Sequence, residues 1–199
     1  MSRLINLVAK LYTYYANKNL YILLLLIFKE YIMNKWLELL KNDDYLGIKK
    51  YIKSGANLED TNEAGESVLA CALRAGCDEE TLLLLIESGA DIFDFDEEGV
   101  SIFDMAITYD NKFMVEYLIE KGIDINKTHR RSGFTALMAA ACYGRTEIAK
   151  ILLEKGVALD ATDSKGFTAV DFARKMNKKS VLELLQYDEE APKNTGYAR

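Results

Sequence analysis

His129 is the only histidine in the 199 residues, so any Ser-His or Cys-His arrangement would have to be centred on it. It stands in the basic run Lys127-Thr128-His129-Arg130-Arg131, a polar loop with no apolar neighbours to exclude water. No catalytic centre is therefore expected. The three cysteines, Cys71, Cys77 and Cys142, form no Cys-x-x-Cys pair and lie in apolar stretches, as reduced core thiols do. No His or Cys cluster has zinc spacing, and the acidic run Asp94-Phe95-Asp96-Glu97-Glu98 lacks the alternation of a calcium loop. Neither a metal nor a cofactor is expected. The chemistry left to these residues is recognition, by charge and by aromatic surface.

Composition points the same way. Half the residues are apolar, enough for a core, and 31 acidic against 25 basic residues give a net charge of -6. A binder of nucleic-acid backbones needs a basic face, so nucleic acid is not an expected partner. An odd number of cysteines without a disulfide framework suits the cytoplasm. The small size and the Lys, Ile and Leu usage suggest a bacterial origin.

Residues 1–33 differ from the rest. Leu20 to Phe28 is a nine-residue apolar run closed by Lys29 and Glu30, whereas a membrane span needs about 20 such residues. Asn17, Lys18 and Asn19 stop the run on its other side, and no small residues follow it to make a cleavage site. A membrane role is therefore expected only if residues 1–33 act as an anchor. The favoured expectation is that this extension lies outside the working protein and that translation starts at Met33. The first 32 residues carry four of the basic and one of the acidic residues, so the shorter chain would have a net charge of -9.

The elements that must position the candidate residues follow from a period. One glycine series runs Gly65, Gly99, Gly133, Gly166 and a second Gly55, Gly89, Gly122, Gly156, every step being 33 or 34 residues. In the clearest unit Thr135 is placed to cap a short inner helix that Gly144 ends, with Ala139, Ala140 and Ala141 allowing close helix approach. Thr146 is placed to cap an outer helix carrying Ile148, Ile151, Leu152 and Leu153, and Gly156 closes it. Polar residues such as Asp160 to Gly166 then form a turn-rich finger. A single unit of about 34 residues would lose roughly 50 kcal/mol of conformational entropy, at about 1.5 kcal/mol per residue, so only stacked units fold.

This pattern resembles the ankyrin repeat over about residues 33–187. The resemblance implies an all-α solenoid of helix-turn-helix units with hairpin-like fingers, about five units across residues 34–187, the terminal ones capping. Residues 188–199 are expected to be a disordered tail. The family's Thr-Pro-Leu-His signature is reduced here to Thr135-Ala136-Leu137-Met138 and Thr168-Ala169-Val170-Asp171. The resemblance further implies a monomeric, non-catalytic adaptor or inhibitor that binds a partner protein through its concave finger and inner-helix surface. On that surface the expected contacts are Phe93, Phe95, His129, Arg130 and Arg131 from the fingers, and Asp104, Tyr109, Met138 and Tyr143 from the inner helices. The alternative is a small-ligand carrier, for example one delivering haem to a catalase-like enzyme, with His129, a tyrosine or a cysteine on the iron.

Overall fold

Thr135, expected to cap the inner helix of the clearest unit, does so. In this computed structural model, which describes residues 18–185, Ser67, Ser101, Thr135 and Thr168 precede inner helices, and each side chain accepts from the amide three residues on. Ten helices in five pairs are described. They are α1 (Lys18–Lys41) with α2 (Tyr45–Lys53), α3 (Val68–Ala75) with α4 (Glu79–Glu87), and α5 (Ile102–Thr108) with α6 (Lys112–Glu120). The last two pairs are α7 (Ala136–Tyr143) with α8 (Thr146–Glu154), and α9 (Ala169–Lys175) with α10 (Lys179–Leu184). Among the described residues β structure is limited to the bridges Thr61 to Ser67 and Phe95 to Ser101, which pinch the bases of two fingers. The all-α expectation with hairpin-like fingers is met.

The chain divides into two compact units at residues 92 and 93. In the first, α1 packs on α3 and α2 on α4. Trp36 is fully buried, donates to the Asn57 carbonyl at 3.2 Å and meets the Tyr51 ring edge-on at 4.9 Å. Helix α1 passes through Met33 without a break. Before that residue it exposes Ile22, Leu23, Ile27 and Tyr31, and Met33 itself is buried. Among the described residues no helix is long and apolar enough to cross a membrane. The start of the extension, residues 1–17, and the expected disordered tail lie outside the described residues.

In the second unit α7 lies between α5 and α9, and α8 between α6 and α10. Ala139, Ala140 and Ala141 are fully buried between the inner helices, where larger side chains would force them apart. Thr146 does not cap α8 as expected. It is that helix's first residue, and the cap position falls to Arg145, which makes no side-chain cap. The Arg145 guanidinium instead donates to the Thr108 carbonyl and lies 3.5 Å from Asp110, tying the ends of α5 and α7.

Candidate finger and inner-helix site

A finger is a turn that the side chain at its base must hold. Asp96 Oδ1 accepts from the amides of Glu98 and Val100, both at 2.9 Å, and Asp163 Oδ1 accepts from those of Lys165 and Phe167 at the same distance. The equivalent residue of the finger between them is Arg130, which has no acceptor. Thr128 takes over, its hydroxyl accepting from the Arg130 amide at 3.1 Å and donating to the Phe134 carbonyl at 2.9 Å. Arg130 is thereby released to reach the preceding repeat, where its guanidinium is 3.4 Å from Asp104, while it lies over the Phe134 ring of its own finger at 5.2 Å.

The same two fingers touch at a glycine. Gly99 has φ +79°, and a Cβ there would stand 2.2 Å from the His129 carbonyl oxygen, so only glycine satisfies both the turn and the approach. The Phe95 and His129 rings of the same fingers pack at 4.4 Å between centroids, tilted 49° to each other. An open cleft of about 330 Å³ lies alongside, lined by Glu97, Glu98, Val100, Arg130, Arg131 and Ser132.

The expected surface residues separate into two groups. Phe93 and Phe95, each 51% exposed, together with His129 and Arg131, are at the surface of the fingers. Tyr109 and Tyr143, 41% and 42% exposed, stand at the ends of α5 and α7. Arg130 is only partly exposed and is committed to Asp104. Asp104 and Met138 are not on the surface at all, being 6% and 0% exposed. Both close the capping box of their own helix: Asp104 accepts from the Ser101 amide at 3.0 Å and hydroxyl at 2.7 Å, while Met138 takes the Thr135 amide on sulfur at 3.4 Å. The correction is physical. A side chain three residues after the cap points back toward the helix start, under the neighbouring helix rather than away from it.

One surface residue escaped the sequence reading. Met176 follows α9 and is 47% exposed, 33 residues after Tyr143 as Tyr143 is 34 after Tyr109, so the period itself was the signal. Cys142, beside Tyr143, is the least buried thiol; burial raises its pKa, with Lys178 and Lys175 pulling the other way. Among the described residues no group of three His, Cys, Asp or Glu side chains could hold a metal.

A family pattern described as ankyrin repeats (3 copies) matches residues 38–129 and again 126–195. The chain is also similar to parts of much longer curated proteins. It is 45% identical over 98 residues to the E3 ubiquitin-protein ligase Ufd4 of Drosophila melanogaster, covering 49% of this chain and 4% of that one. It is 42% identical over 90 residues to the E3 ubiquitin-protein ligase hecd-1 of Caenorhabditis elegans, covering 45% and 3%. With the nuclear factor NF-kappa-B p105 subunit of Gallus gallus it shares 32% over 129 residues, covering 63% of this chain and 13% of that one. In each case the chain spans only a small part of the relative's length.

Proposed function

This chain belongs to the ankyrin-repeat family, and we propose that it acts as an adaptor or inhibitor that holds one partner protein on the finger and inner-helix face of its second unit. Ankyrin repeats are generally protein interaction modules, and typically carry no catalysis of their own. The observation that supports the assignment to this face is the pair Tyr109 and Tyr143, two aromatics left exposed at equivalent positions. An aromatic ring in water gives up burial that a contact would recover, and such rings with arginines are the usual energetic centres of interfaces. Phe95, stacked on His129, and Arg131 extend the face along the fingers. The protein works in this reading as a monomer in the cytoplasm.

The haem-carrier reading gains no support, because His129 is exposed and its ring already stacks on Phe95 in a finger that shields neither.

The test is affinity capture with the full chain, with cross-linking, beside a Tyr143→Ala/Arg131→Ala variant. A protein retained by the wild type and lost from the variant is expected, with melting temperatures within about 2 °C of each other. The same proteins retained by both would overturn the assignment of the face.

A further inference from the structure

The three inner helices of the second unit end alike, in Thr108-Tyr109, Cys142-Tyr143 and Lys175-Met176. Packed neighbouring helices lie about 10 Å apart, so the exposed Tyr109, Tyr143 and Met176 side chains form an apolar ridge about 20 Å long. Its two ends differ in charge. At the Tyr109 end stands Asp110, held by Arg145. At the Met176 end stand Lys175 and Lys178. The Lys178 stem lies across the end of α7: a Cβ on Gly144 would be 2.8 Å from its Cδ and 3.4 Å from its Nζ. Its ammonium is thus brought next to Gly144, the residue after Tyr143, and the positive charges of both lysines act on the neighbouring Cys142 thiol.

We propose that this ridge receives an apolar segment of the partner protein that ends in carboxylates, with apolar side chains on Tyr109, Tyr143 and Met176 and Asp or Glu side chains against Lys175 and Lys178. The proposal rests on the binding role given above to this face. Exposed ion pairs contribute little affinity, so burial of the ridge supplies the binding and the charges set the direction of the segment. The reversed segment would set its carboxylates toward Asp110.

A phage-displayed library of random peptides of about twelve residues, long enough as a helix to cover some 18 Å, tests this on the full chain. Enriched peptides are synthesised with a fluorophore and titrated against the wild type, Tyr143→Ala, Lys175→Glu/Lys178→Glu and the neutral Lys175→Gln/Lys178→Gln, each checked for an unchanged thermal melt. Peptides combining apolar residues with Asp or Glu are expected. Their affinity should fall roughly tenfold in Tyr143→Ala and in the charge reversal, less in the neutral variant, with a salt dependence that the reversal removes. Peptides that need Tyr143 but lack acids, or that ignore the charge reversal, would overturn the acidic partner and leave the binding face standing. No enriched peptide, or peptides indifferent to Tyr143→Ala, would overturn both.

Discussion

The first and second units are built on one frame and present different surfaces. In the first, the inner helix α3 ends in Arg74 and Ala75, and Arg74 reaches back 2.7 Å to Glu66 at the finger base, so the local surface pairs its own charges. In the second, the positions equivalent to Glu66 are Val100, Phe134 and Phe167, and those equivalent to Ala75 are Tyr109, Tyr143 and Met176. The hydroxyl caps Ser67, Ser101, Thr135 and Thr168 and the closing glycines are alike in both. Recognition is therefore written at positions the frame leaves free, and the two units can be separated by experiments that strike the frame or the free positions.

The largest expected effects fall on the frame and should be the same in both units. Leu69→Ala in α3 and Leu137→Ala in α7 each remove a side chain 1% exposed, and each should cost about 3 kcal/mol in urea denaturation. A gap above about 2 kcal/mol between them would break the equivalence of the frames.

Gly99→Ala and Gly55→Ala contrast a finger glycine with one that closes an outer helix. Both glycines have positive φ, but a Cβ on Gly55 meets nothing within 4 Å while one on Gly99 meets the His129 carbonyl. Gly55→Ala should cost about 1 kcal/mol, from the left-handed backbone alone, and Gly99→Ala roughly 3 kcal/mol with loss of the Phe95–His129 stack. Equal costs would show that the finger contact moves aside freely.

Alkali should strike the first unit harder. Burial pushes the Cys71 thiol up to about 11 and the Cys77 thiol up to about 12, from an ordinary value near 9. Above about pH 9 the unfolded chain releases these protons while the folded one keeps them, so stability present below that pH falls as pH rises toward 12. Hydrogen exchange should show α3 and α4 opening before α7 and α8, and a thiol reagent at neutral pH should modify Cys142 first. Cys71→Ala/Cys77→Ala should flatten the pH dependence; an unchanged curve would trace it to other groups.

The smallest stability effect belongs to the free positions. Tyr109→Ala should change stability by no more than about 0.5 kcal/mol yet weaken a captured partner, whereas Arg74→Ala should leave that partner's binding unchanged. Equal binding losses would spread the face over both units.

The frame was legible because its causes are local. Two glycine series in register, a hydroxyl before each inner helix from α3 onward and an apolar outer helix describe the repeat without tertiary information. The capping boxes were legible too, as Ser101-x-x-Asp104 and Thr168-x-x-Asp171, but Asp104 was read as a surface residue and its partner role went with it. Thr146 was read as a cap from its residue type, although Arg145 holds that place. Arg130 could have been found by aligning it with Asn62, Asp96 and Asp163, the acceptors at the bases of the other fingers.

The sequence by itself determined the period, the helix pairs and the reduced apolar setting of the cysteines, because glycine, cap and apolar spacing act within one unit. Only the tertiary structure decided that Arg130 leaves its finger for Asp104, that Gly99 admits the His129 backbone, and that Lys178 lies across Gly144 beside Tyr143. Each of those contacts joins residues 26 to 34 positions apart; their meeting depends on how stacked units pack, which no single unit specifies.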